Sequence, residues 1–268
     1  MRARSRTLMP VLVSVLLFSV TASGQQPNAG GDTSPFDPRD FSGYWIRNGP
    51  RPWGHPPLTR AGMGAMRGRL PDYLATRSSD SNDPMYRCNP QAFPRLVWEE
   101  NEPLEIVHAG DRILQLFQWE RTLRELWLDG RELPSGENLE NLGPAWYGHS
   151  VAEWQGDTLV VMTTGVDPRA WLDVYGNPMS FDARFEERYR RIDVDTIEGQ
   201  LTINDPANYT APWTHAPSLF ERMPTEHVSY FGWDGLFSGV TDAICAPMNE
   251  SEFNDIIRDP GIFGITEQ

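Results

Sequence analysis

His149 and Glu153 are the two side chains whose types and spacing best suit proton transfer. Imidazole titrates near neutrality, so a histidine beside a carboxylate is a ready general acid or base. Both lie in the run W-Y-G-H-S-V-A-E-W-Q-G-D-T-L-V-V-M-T-T, residues 146–164, where two β-favouring stretches flank Gln155-Gly156-Asp157-Thr158. A Gly followed by an Asp supplies the permissive backbone angles of a tight hairpin turn. With Gly156 and Asp157 at the centre of that turn, Glu153 faces Val160, Val151 faces Met162 and His149 faces Thr164. The six then share one face of a sheet, because strand side chains alternate with period two. A His and a Glu among Val and Met read as the polar part of an apolar pocket. The structural alternative is a His149 bonded to backbone at the mouth of a barrel and a Glu153 paired with an arginine.

The remaining candidates are mostly aromatic. Ten Trp are more than the ends of one barrel require. Trp119, Trp127 and Trp146, with Met162 and Tyr189, are therefore candidate ligand-binding residues for a flat, largely apolar molecule. Tyr189 belongs to the strand F-E-E-R-Y-R-R, residues 185–191. Phe185, Glu187, Tyr189 and Arg191 alternate there with Glu186, Arg188 and Arg190. One face is expected to be solvated and laced with ion pairs, and the other to turn Tyr189 and a charged pair toward a cavity.

Several chemistries are excluded. The chain has no Lys, so its 23 basic residues are all Arg, which rules out Schiff-base, pyridoxal-phosphate and phosphate-loop mechanisms. Patterns of the G-x-S-x-G, H-E-x-x-H, G-x-G-x-x-G and C-x-x-C kinds are absent. His55, His108, His215 and His227 are scattered without metal-ligand spacing, so neither a metal nor a cofactor is implied. A net charge of −14 repels phosphate backbones and argues against a nucleic-acid partner.

These residues must be held by elements that the rest of the chain announces. Arg2, Arg4 and Arg6, the apolar run from Leu8 to Val20, and small residues at Ala22 and Gly24 read as a signal peptide over residues 1–24. Its removal takes away three Arg and no acid, moving the net charge to −17 and leaving no integral membrane segment. The protein is expected to be periplasmic or secreted, where a Cys88–Cys245 disulfide is the default. Residues 25–40 are a disordered lead-in, and 41–268 a single β-barrel domain. Its first strand lies near 41–47, and a Pro/Gly-rich arm at 48–100 lies over the outside or one mouth, with a short helix starting at Thr59. The main strands fill 101–245, with Val240 to Cys245 as the closing strand. Asn249 to Asp259 forms a C-terminal helix with capping-box spacing between Asn249 and Glu252. Few connections can hold a crossover helix, so the fold class is all-β, an antiparallel meander closing into a barrel that leaves no edges.

Two resemblances carry this further. Phe41-Ser42-Gly43-Tyr44-Trp45 resembles the G-x-W signature that opens the first strand of lipocalin-like, calycin-type barrels, which implies that Trp45 plugs one end. Residues 82–260 resemble a broad group of exported bacterial proteins of unknown function. The blocks are N-D-P-M-Y-R-C-N-P-Q-A-F-P-R (82–95), W-Y-G-H-S-V-A-E-W-Q-G-D-T-L-V-V (146–161), F-E-E-R-Y-R-R (185–191), N-D-P-A-N-Y-T-A-P-W (204–213) and I-R-D-P (257–260). In that group Asp is common where this chain has Met162, and His where it has Met179. A carboxylate at 162 would lie diagonally from His149, near enough to orient the imidazole.

Three functions follow from these readings. The first is a periplasmic or secreted lipocalin-like barrel that binds a hydrophobic or aromatic small molecule. The second is a cofactor-independent lyase, isomerase or cyclase using His149 as general acid or base, with Glu153 beside it. The third is a surface protein whose arm and acidic faces bind another protein.

Overall fold

A computed structural model describes residues 36–48, 56–74, 80–99, 102–223, 229–230, 233–234 and 245. The signal peptide, residues 25–35 of the lead-in, the strand expected at 240–244 and the helix expected at 249–259 lie outside the described residues.

The strands are β1 (Gly43–Asn48), β2 (Leu104–His108), β3 (Arg112–Phe117), β4 (Leu123–Trp127), β5 (His149–Gln155), β6 (Thr158–Thr164), β7 (Arg184–Arg191), β8 (Thr196–Asn204), β9 (Trp213–Thr214) and β10 (Ser218–Arg222). Consecutive strands from β1 to β8 pair in order, and β10 pairs with both β8 and β1. The result is a closed β-barrel of nine strands, with β9 a short addition beside β8. Closure through residues 218–222 comes earlier in the chain than expected. Trp45 is fully buried near one end, its indole N–H donating to Phe41 O at 2.8 Å and the Arg222 guanidinium lying 4.5 Å from its ring.

The β5–β6 hairpin has the expected register, His149↔Thr164, Val151↔Met162 and Glu153↔Val160, around a turn in which Gly156 has φ +61°. The barrel is not purely antiparallel, however. Between β4 and β5 the chain passes through a short helix, α3 (Gly136–Leu142), so these strands run parallel, with one aligned pair, Trp127↔Val151. Twenty-one residues separate the two strands, enough for the crossover that parallel pairing needs.

The arm also departs from expectation. It carries α1 (Arg60–Ala65), capped by Thr59 as the sequence suggests, and α2 (Arg95–Trp98). All four residues of α2 are buried, and Trp98 lies among inward-facing strand residues. Its ring stacks on Tyr189 at 5.5 Å and meets Phe220 edge-on at 5.7 Å. Phe93 packs edge-on against Phe185 at 5.1 Å. Phe93 and α2 thus fill the barrel from within, and this part of the arm does not lie outside it. Gly199 of β8 makes room, since a Cβ there would stand 2.9 Å from both Trp98 and Phe220. Cys88, on the approach to α2, is bridged to Cys245 with Cα atoms 5.5 Å apart.

Candidate functional site

The filled interior decides which strand faces can meet a ligand. On β7, Phe185, Glu187, Tyr189 and Arg191 are the buried set, as the alternation anticipates. Glu187 is 0 % exposed and Arg124, inward-facing on β4, is 2 % exposed. Glu187 Oε2 accepts from Arg124 Nη2 at 2.5 Å, and Oε1 accepts from Arg124 Nη1 (3.1 Å), Trp98 Nε1 (3.1 Å) and the Tyr189 hydroxyl (2.6 Å). Arg124 also donates to Gln115 Oε1, Ser150 Oγ and Thr163 Oγ1, and its guanidinium lies 4.1 Å from the Phe93 ring. Burial, reinforced by the neighbouring Glu187 charge, holds the Tyr189 phenol well above its ordinary range, so it is a donor. This cross-linked polar core leaves an interior cavity of about 20 Å³ among Ile113, Gln115, Tyr189 and Phe220, room for about one water.

A large concavity among the described residues lies in the wall. From their single aligned pair, β4 and the segment leading into β5 diverge toward Leu123 and Tyr147, leaving a wedge that α3 borders from outside. Its volume is about 900 Å³, within the range of small-molecule sites. Leu123, Leu133, Leu142, Trp146 and Tyr147 give it apolar surface, while Arg124 and Ser150 bring the buried polar network to its lining. Side chains, not backbone ladders, stitch the diverging edges. The Tyr147 hydroxyl lies 3.0 Å from Thr122 Oγ1, and Arg124 Nη2 reaches Ser150 Oγ at 3.2 Å. Burial pushes the Tyr147 phenol up to about 12, so it too stays neutral. Gly148 allows the close approach: its φ is +67°, and a Cβ would stand 2.7 Å from Thr163 Cγ2.

The wedge brings together His149, Trp127 and Trp146 of the sequence candidates. His149 is half-buried on the outer face, its Nε2 3.0 Å from Gly143 O. A carbonyl only accepts, so Nε2 carries the proton. This bond ties β5 to the C-cap of α3. Arg131, held by Asp129, lies 3.6 Å over the Trp127 ring. The other candidates stand elsewhere. Glu153 is exposed and accepts from Gln155 Nε2 at 2.7 Å. Met162 is half-buried on the outer face, between Val151 and Glu186 in neighbouring strands. Trp119 packs against the core beside the β3–β4 turn, and Tyr189 is inside the barrel.

Sequence reasoning passed over Arg124, Tyr147 and Ser150. Arg124 carried a readable signal: in Leu123-Arg124-Glu125-Leu126 it shares the Leu126 face, which packs inward, and a buried arginine requires a carboxylate partner. Among the described residues no cluster of His, Cys, Asp and Glu could hold a metal ion. No helix among them is long and apolar enough to cross a membrane. No family model matches this chain, and no curated protein matches it.

Proposed function

We propose that this barrel binds a flat, largely apolar small molecule in the wedge between α3 and the β4–β5 seam, and that it does so outside the cytoplasm. The observation that carries the reading is the contrast, among the described residues, between the 900 Å³ wedge and the 20 Å³ cavity inside the barrel. A lipocalin-like binding role therefore moves from the barrel axis to its wall. The signal-peptide pattern and the Cys88–Cys245 bridge support the compartment. The exported bacterial group resembled by the 82–260 blocks remains the proposed family. Binding is preferred to proton transfer because Glu153, the carboxylate expected beside His149, is not among the residues of the wedge.

The test is titration with N-phenyl-1-naphthylamine, an uncharged probe whose emission rises in apolar surroundings. Leu123 and Leu142 line the wedge and are 51 % and 59 % exposed, so Leu123→Asp and Leu142→Asp alter it with little effect on folding. Saturable binding that both substitutions weaken at least tenfold supports the reading. Binding unchanged by either, or none at all, refutes it.

A further inference from the structure

Proton counting in the wedge points to a class of ligand. Ser150 Oγ and Thr163 Oγ1 are 2.9 Å apart, and both accept from Arg124 Nη2, at 3.2 and 2.8 Å. Each hydroxyl has one proton, and only one of the two can lie between them. The other has no acceptor among the described residues. Thr163 is 0 % exposed, whereas Ser150 lines the wedge. An unused donor sealed in the wall is strongly disfavoured, so Thr163 donates to Ser150 and the Ser150 proton is the one left for the wedge. Arg124, which lines the same wedge, keeps its Nε buried without a hydrogen-bond partner. The Arg124 Nε is sealed from the wedge, so the floor offers one donor, the Ser150 hydroxyl, whose Oγ has already accepted twice.

It offers no net positive charge. Glu187 neutralises Arg124 at 2.5 Å, and Asp129 holds Arg131 at 2.6 Å. A carboxylate would enter without a counter-ion, in a chain of net charge −14.

We propose that the ligand is an uncharged, planar aromatic carbonyl compound whose oxygen accepts from the Ser150 hydroxyl. This rests on the wedge being the binding site.

Three probes of one size test it by equilibrium dialysis: 2-acetonaphthone, 2-isopropenylnaphthalene, in which a methylene replaces the carbonyl oxygen, and the anion 2-naphthoate. Wild-type protein should bind the ketone about tenfold more tightly than the alkene, and the carboxylate no more tightly than the ketone. In Ser150→Ala the ketone and alkene should come within about twofold of each other. Equal binding of ketone and alkene by wild type overturns the carbonyl proposal while leaving the wedge as a site, and so does a ketone preference that survives Ser150→Ala. Tightest binding of 2-naphthoate overturns the uncharged class. Failure of all three probes to bind overturns the wedge reading and this proposal together. The wild-type comparison decides even if Ser150→Ala fails to fold.

Discussion

Replacing Glu187 by Gln removes one formal charge from a side chain that is 0 % exposed and bonded to three others. The amide keeps one oxygen, which can still accept from Tyr189, Trp98 and Arg124. Its nitrogen then takes the place of Oε2 and turns a donor toward Arg124 Nη2, a distance of 2.5 Å in the native contact. The substitution therefore loses one charge-assisted hydrogen bond, worth about 1.5–3 kcal/mol, and leaves the Arg124 charge buried without its counter-ion. Breaking one side of a buried pair in this way costs about 3–5 kcal/mol. Urea unfolding followed by far-UV circular dichroism measures it, with Arg124→Met and the double variant completing a cycle. The double variant no longer buries an unpaired charge, so it should be more stable than the sum of the single losses implies, by about 2 kcal/mol or more. A Glu187→Gln loss under about 1 kcal/mol, or strict additivity in the cycle, would refute the view that this ion pair organises the barrel interior.

Further outcomes follow from the same structure. Cys88→Ser should lower stability by about 5 kcal/mol, because the bridge closes a loop spanning 157 positions, and intact unfolding midpoints would contradict that. Gly148→Ala should cost at least about 2 kcal/mol more than Gly156→Ala: both positions have positive φ, but only Gly148 has neighbours within 4 Å of the new Cβ. Equal losses in urea unfolding would show that the seam tolerates spreading. His108 accepts from the Phe41 N–H at 3.1 Å, and His215 lies edge-on to Trp98. Burial holds both imidazoles below the ordinary 6.5, against the pull of Asp40 on His108 and of the Ala216 carbonyl on His215. The folded chain thus binds fewer protons than the unfolded one in that window, so stability is present above about pH 6.5 and falls as acidification proceeds through the folded pKa values. Urea midpoints at pH 7.5 and 5.5 check the sign, and His108→Gln with His215→Gln should flatten the dependence.

Much of the architecture was legible because local pattern and global fold agree. Gly156-Asp157 between alternating strands specifies the hairpin and its register, and Gly110-Asp111 likewise joins β2 to β3. What the pattern could not give was which face turns inward. His149, Val151 and Met162 lie on the outer face, while Ser150, Ala152 and Thr163 face in. Hydropathy suggests the reverse. The inversion has a steric cause: Phe93, Trp98 and the Arg124 guanidinium occupy the barrel, so the strands opposite them need small or hydroxylic residues. That demand comes from β4 and from an arm some fifty residues upstream, beyond any local period. The parallel seam escaped for a similar reason. Residues 128–148 look like a Gly/Asn/Pro loop, and the seven-residue α3 within them is too short to show a convincing amphipathic repeat. Since that crossover opens the wedge, the candidate site was only partly visible from sequence, through His149, Trp127 and Trp146.

The most direct test of the central claim is a crystal structure of the protein saturated with N-phenyl-1-naphthylamine. Ligand density is expected in the wall of the barrel, between Leu123 and Leu142 and against Trp146, with Trp98 still stacked on Tyr189 inside. Density along the barrel axis, with α2 displaced and the Trp98 contacts to Glu187 and Tyr189 broken, would contradict it.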